Sequence, residues 1–202
     1  MELTEQEQWD ERYRENQLPW DTGRPSTELV KLIRFGKVPV GKALELGCGR
    51  GTNALYLAEQ GFDVTATDIS PTAIREAERR AAQKGLKADF RVANLTTRPD
   101  LGGAYDFLFD RGVYHAVRQV DVNAFLRLLD EVSREGTHYL CLCGNAKEKQ
   151  DPGPPVVSEE EIRAELGSLF DILDLHEFRF DESSGKADRP LGWSIFMRRR
   201  SG

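Results

Sequence analysis

Lys42-Ala43-Leu44-Glu45-Leu46-Gly47-Cys48-Gly49-Arg50-Gly51-Thr52-Asn53 is the stretch that decides how this chain folds. Its apolar start reads as a buried parallel strand, its three alternate glycines as a tight turn, and the Ala54-Leu55-Tyr56-Leu57-Ala58 behind them as a helix. Glycine permits such a turn and lets a ligand approach the backbone with no Cβ in the way. The helix then aims unpaired N–H groups and the positive end of its dipole into the crevice, which suits a carboxylate or a phosphate. No Gly-Lys-Ser/Thr ending is present, so the turn is not a P-loop. Thr52 stands where the dinucleotide fingerprint needs glycine. What remains is Glu45-x-Gly47-x-Gly49-x-Gly51. An acid just before the first glycine repels a pyrophosphate and attracts an ammonium or sulfonium in a poorly solvated cleft.

Downstream, Phe62-Asp63-Val64-Thr65-Ala66-Thr67 reads as a second strand with Asp68 at its carboxyl end. A carboxylate there, about 20 residues past the glycines, can accept hydrogen bonds from both ribose hydroxyls of a bound adenosine. Ser70-Pro71 supplies the N-cap and first-turn proline of a helix running to Gly85. A third strand over 88–93 leads into Asn94-Leu95. Gly102-Gly103 precedes a fourth strand, Tyr105-Asp106-Phe107-Leu108-Phe109, which ends in Asp110-Arg111-Gly112-Val113-Tyr114-His115. Ionisable groups at the carboxyl end of a central strand stand where a doubly wound sheet places its chemistry. A structural Asp110–Arg111 pair is the plainer alternative.

The remainder reads as a helix over 122–132, an apolar strand over 136–143, a loop over 145–155, and a helix capped by Ser158 and Glu161 that ends near Gly167. Two strands over 170–175 and 191–197 follow with no long helix between them, so they should pair antiparallel. His138 and His176 fall within strands, leaving His115 as the histidine at the cleft.

Upstream of the decisive stretch, residues 4–14 read as a short helix opened by a Thr4…Glu7 capping box, and 26–36 as an amphipathic helix. Between them lies the turn-rich Leu18-Pro19-Trp20-Asp21-Thr22-Gly23-Arg24-Pro25. A segment of this kind needs something to pack on. It is either a lid over the crevice or an arm that Trp9 and Trp20 anchor on the core.

With 202 residues and 39% hydrophobic content, a single domain over 1–202 is expected, able to bury roughly 70% of its extended surface. The net charge of -6, from 28 basic and 34 acidic residues, argues against a nucleic-acid substrate. Cys48, Cys141 and Cys143 are too few for a disulfide framework and point to a reducing, cytoplasmic setting. No metal site is expected from them. No apolar segment has the length of a membrane span, and the N-terminus is too polar for a signal peptide. A monomer or weak homodimer that meets a small-molecule substrate, and no membrane, is the resulting expectation.

Trp9, the Pro19-Trp20-Asp21-Thr22-Gly23 loop, residues 45–53, Asp68-Ile69-Ser70 and Phe109-Asp110-Arg111-Gly112 together make this chain resemble the class I S-adenosylmethionine-dependent methyltransferases. Within them it is similar to the thiopurine S-methyltransferase and tellurite-resistance methyltransferase group, over nearly its whole length. The resemblance implies an α/β fold with a doubly wound, seven-stranded, mostly parallel Rossmann-like sheet holding one antiparallel strand, and an N-terminal lid over residues 1–36. It implies S-adenosylmethionine as cofactor and S-adenosylhomocysteine as product. Expected around the cofactor are Trp9, Trp20, Glu45, Gly47, Cys48, Gly49, Gly51, Asn53, Asp68, Ile69, Asn94, Leu95, Asp110 and Arg111. Arg111, Trp20 and His115 are the expected catalytic residues. The implied reaction is methyl transfer to a small soft nucleophile: a thiol, a selenol, or a tellurium or selenium oxyanion. The alternatives are an O- or N-methyltransferase of small metabolites and a noncatalytic regulator that binds the cofactor. A nicotinamide oxidoreductase is disfavoured by Thr52 and Glu45.

Overall fold

The computed structural model describes residues 3–148, 153–181 and 189–201. The chain forms two compact units, Met1–Asn94 with Asp181–Lys186, and Leu95–Phe180 with Ala187–Gly202. Its fold is mixed α/β, with a mostly parallel sheet of eight strands. No described helix is long and apolar enough to cross a membrane.

In the first unit, the capping box of Thr4 and Glu7 opens α1 (Glu5–Arg14), and α2 (Thr27–Arg34) follows the turn-rich loop. The order is then β1 (Lys42–Leu46), α3 (Thr52–Glu59), β2 (Asp63–Asp68), α4 (Pro71–Lys84) and β3 (Asp89–Val92). β2 pairs in parallel with both β1 and β3, with Leu46 opposite Thr67 and Asp68 opposite Val92. Parallel strands covered by helices are apolar along their length, and Ala43, Leu44 and Leu46 are wholly buried. The register brings the glycine turn after β1 and the carboxylate of Asp68 to one edge.

Gly51 shows why this turn needs glycine. Its φ is +77° where it caps α3, and a Cβ there would lie 2.9 Å from the Cβ of Ala77 and 3.1 Å from the ring of Phe90. Gly51, expected around the cofactor, turns the side where a Cβ would stand toward α4 and β3. Its bare Cα lets α4 and β3 close against the turn, so it shapes the site from behind.

In the second unit, the elements are β4 (Tyr105–Arg111), α5 (Tyr114–Val132), β5 (Ser133–Asn145), β6 (Val156–Val157), α6 (Glu159–Glu165), β7 (Phe170–Arg179) and β8 (Leu191–Arg199). β4, β5 and β6 pair in parallel, and β8 runs antiparallel to both β5 and β7. The expected closing pair is therefore present. The eighth strand is the two-residue β6, too short to leave a periodic signal.

α5 begins eight residues before the expected start at 122. Its chain leaves helical geometry at Asp121 (φ -157°, ψ 93°), whose Oδ1 accepts from the N–H of Ala124 at 2.8 Å. That cap is the start signal legible in the sequence, and the turns ahead of it, from Tyr114, carry none. Cys141 and Cys143 are fully buried on β5. His138 stacks on Phe196 with ring centroids 5.4 Å apart, whereas His176 is exposed beside Asp174, so only the first is a packing histidine.

Candidate functional site

Asp68 organises the glycine turn. One carboxylate oxygen accepts from the N–H of Gly49 at 2.8 Å and the other from the N–H of Ser70 at 2.9 Å. The hydroxyl of Tyr13 lies near the same carboxylate and favours its ionised form. That hydroxyl lies 2.9 Å from the place a Cβ would take on Gly49, whose φ is +54°. Burial pushes the Asp68 carboxyl up to about 6, against the opposing pull of the Ser70 and Gly49 N–H groups. Asp68 already accepts from two N–H groups, and a hydroxyl lies over Gly49 beside it, where a ribose hydroxyl would come. The residues present therefore fit an adenosyl group.

Asp68 also carries a pH prediction. Hydroxyl donors favour its ionised form, so cofactor affinity is fully present above about pH 6 and lost as pH falls through that value. Calorimetric titration of S-adenosylmethionine on either side of that pH should show the step, and Asp68→Asn should remove it.

α1 reaches this edge through a polar face. Gln6 donates to the carbonyl of Ile69 at 3.0 Å, while Asp10 accepts from the Ser70 hydroxyl at 2.5 Å and the Thr72 N–H at 2.8 Å. Burial raises the Asp10 carboxyl, but these donors and Arg14 outweigh it and hold Asp10 well below the usual carboxylate range. Gln6, Asp10 and Tyr13 follow helical spacing and share one face. The sequence reading missed all three, and that spacing beside Trp9 was the available signal. Asp10→Ala should lower stability by about 1–3 kcal/mol, because the buried donors of Ser70 and Thr72 lose their acceptor. A calorimetric scan should record a fall of roughly 2–4 °C per kcal/mol. An unchanged melting temperature would mean that α1 does not depend on this contact.

The aromatics of the N-terminal segment sit together. Trp9 and Trp20 meet edge-on at 5.8 Å, and the Arg12 guanidinium lies 5.0 Å from the Trp9 ring. Trp20 packs against Tyr13 and Leu18. Asp21, in the same loop, lies 3.5 Å from Arg50 of the glycine turn and 3.8 Å from Arg80 of α4. Asp21, Arg50 and Arg80 line a cavity of about 550 Å³ with Asn16, Leu18 and Thr22.

Glu45 is buried at the end of β1, and its Oε1 accepts from the Asn53 amide at 3.2 Å. The Asn53 carbonyl accepts from the Ser26 N–H at 2.8 Å. Asn53 thus orients Glu45 and ties the start of α2 to α3, a use of both its polar groups that differs from the expected cofactor contact. Cys48 is buried, which pushes its thiol well up and leaves it a small apolar group. Gly47 (φ +65°) opens the turn, Ile69 is half-buried, and Asn94 is half-buried just beyond β3.

In the second unit, Asp110 is fully buried. It accepts from the N–H groups of Val113 (3.0 Å) and Tyr114 (3.2 Å) and from the hydroxyl of Tyr139. A cofactor contact is expected of this residue from the sequence, and its carboxylate oxygens are held by the α5 N-terminus and by β5. Arg111 ends β4 and packs 5.2 Å from the ring of Phe180. Phe180 owes its place to Gly192, where a Cβ would lie 2.7 Å from that ring. Tyr114 is wholly buried and donates to Glu165 at 2.6 Å, while Arg118 pairs with Glu165 and Glu161. His115 is buried, and its Nδ1 accepts from the Gly144 N–H at 2.8 Å. Leu95 is buried in a single 3-10 turn, Leu95–Thr97.

The thiopurine S-methyltransferase family model matches residues 4–193. Among curated proteins, the 2-heptyl-1-hydroxyquinolin-4(1H)-one methyltransferase of Mycobacteroides abscessus is 32% identical over 164 residues, spanning 80% of this chain and 72% of that protein. Thiocyanate methyltransferase 1 of Arabidopsis thaliana is 34% identical over 191 residues, spanning 91% of this chain and 82% of that protein. A solved structure reported for the conversion of a disulfide bond into a thioacetal group during echinomycin biosynthesis superposes with a TM-score of 0.83 at 25% identity. The match covers 98% of this chain and 93% of that one. A glycine turn gathered onto a buried acid and a family match over nearly the whole length lead to one conclusion: this chain belongs to the thiopurine S-methyltransferase family and is an S-adenosylmethionine-dependent methyltransferase.

Proposed function

We propose that the enzyme methylates a small soft nucleophile, a thiol, thiocyanate-like anion or reduced chalcogen oxyanion, taken up in its anionic form beside Arg111. The observation that carries this reading is the guanidinium of Arg111 at the carboxyl end of β4, stacked on Phe180, with the neighbouring Asp110 carboxylate hydrogen-bonded to Val113, Tyr114 and Tyr139. The thiocyanate methyltransferase of Arabidopsis thaliana supports the acceptor class. The hydroxyquinolinone methyltransferase of Mycobacteroides abscessus supports a second reading, an acidic hydroxyl whose oxyanion would meet the same guanidinium.

Asp68 would hold the cofactor's ribose, with Gly47, Cys48 and Gly49 along its amino-acid end. Glu45 would lie toward its positive charge, and Ile69, Asn94 and Leu95 would flank its adenine. When bound, S-adenosylmethionine supplies a methyl group on a positively charged sulfur, which is already an activated leaving group. The side chains then have little chemistry left to do beyond alignment, which can supply roughly 7–11 kcal/mol. Trp9 and Trp20 act as the lid that excludes water, and Arg111 draws in the anionic acceptor. Residues 1–202 serve as one methyltransferase domain, with 1–36 as its lid segment.

The test is release of S-adenosylhomocysteine with thiocyanate, aryl thiols, a hydroxyquinolinone and alkylamines as acceptors. Turnover is expected with the acceptors that ionise. Turnover with the amines alone would overturn the reading.

A further inference from the structure

His115 looks at first like the base of the reaction, yet its surroundings remove the lone pair a base needs. The backbone N–H of Gly144, at the end of β5, donates to Nδ1 at 2.8 Å. A neutral imidazole carries one N–H, so with Nδ1 accepting, the hydrogen resides on Nε2. Nε2 faces Gly112, where a Cβ would stand 3.4 Å from Nε2 and 3.6 Å from Cε1, at a φ of +83° that disfavours side chains. The missing side chain leaves space beside this nitrogen, and no hydrogen bond to it occurs among the described residues.

A second donor nearby is buried and unpaired among the described residues. Asn145, next to Gly144, is fully buried. Its Oδ1 accepts from the Lys147 N–H at 2.9 Å, and its Nδ2 has no partner among the described residues. Leaving a buried donor unsatisfied costs about 1–3 kcal/mol, so such groups are retained where they meet something else. The acid nearest in sequence, Asp110, is already taken up by Tyr139 and the α5 N-terminus.

We propose that His115 is a substrate-binding donor, its Nε2–H hydrogen-bonding to the anionic nucleophile of the acceptor, and that it does not act as a base. The inference rests on the reading of the Arg111 end as the acceptor side. The acceptor's proton leaves to solvent before binding, and no proton passes through the imidazole. Burial, aided by Arg111, also holds His115 down at about 4, which keeps the ring neutral at physiological pH.

The experiment compares wild type, His115→Asn and His115→Gln on two probes: thiocyanate, which has no proton to lose, and a series of aryl thiols of graded acidity. Asn keeps an acceptor for the Gly144 N–H but has no donor at the Nε2 position, whereas Gln restores one. His115→Asn should lower kcat/KM about tenfold or more on thiocyanate and on every thiol alike, mainly through KM, with Gln recovering a large part. A loss that spares thiocyanate and deepens as the thiols become less acidic would overturn the proposal in favour of a base. So would no loss on either probe. Proton–nitrogen NMR of the wild-type imidazole at neutral pH should give the Nε2–H tautomer, and an Nδ1–H pattern would equally overturn it. If wild type releases no S-adenosylhomocysteine from any probe, the acceptor reading falls and this substrate contact with it, while the NMR result still reports the tautomer.

Discussion

Replacing Asp68 with alanine should weaken S-adenosylmethionine binding by at least tenfold. Each charge-assisted hydrogen bond is worth about 1.5–3 kcal/mol, and the carboxylate is proposed to accept from the ribose hydroxyls. The same change strips the Gly49 and Ser70 N–H groups of their acceptor, so the turn loosens as well. Two orphaned donors at about 1–3 kcal/mol each should lower the melting temperature by several degrees. Asp68→Asn separates the two effects, because its amide oxygen still accepts one backbone N–H while the charge is gone. Calorimetric titration of the three proteins gives the affinities, and an unchanged affinity in Asp68→Ala would remove Asp68 from the cofactor site.

Arg111→Ala should cut turnover by roughly ten- to a hundredfold while leaving cofactor affinity within a few-fold, since one charge-assisted contact to the acceptor is lost. Arg111→Lys should recover only part of the loss. A lysine keeps the charge but lacks the planar fork that stacks on Phe180. Equal losses in turnover and cofactor affinity would reassign Arg111 to cofactor binding. Single-turnover rates at saturating cofactor make the distinction, because KM alone mixes binding with chemistry.

Much of the frame was legible because it depends on local rules. The apolar run before Gly47, the Ser70-Pro71 helix start and the two capping boxes lie within a few residues of what they control, and the structure contains each of them. Asp68 was legible by its distance from the glycines. α1 was legible as a helix but not as a docking element, because the face it lays on the β2–α4 turn is built from Gln6, Asp10 and Tyr13 and carries no apolar stripe. The packing role of Gly51 was not legible for a related reason. Glycine in a ligand turn and glycine under a packed ring look alike in sequence, and only Ala77 and Phe90 tell them apart.

The sequence alone determined the succession of strands and helices, the class of ligand that the turn and its acids accept, and the positions from which chemistry could come. Those follow from backbone conformation and from charge near in the chain. The tertiary structure alone decided what each polar group has left to offer. Asp110 is consumed by Tyr139 and His115 is set as a donor by Gly144, each partner 29 residues away. Phe180 sets Arg111 from another strand end. A hydrogen bond fixes a proton or a charge only when its partner is in place, and folding is what supplies the partner.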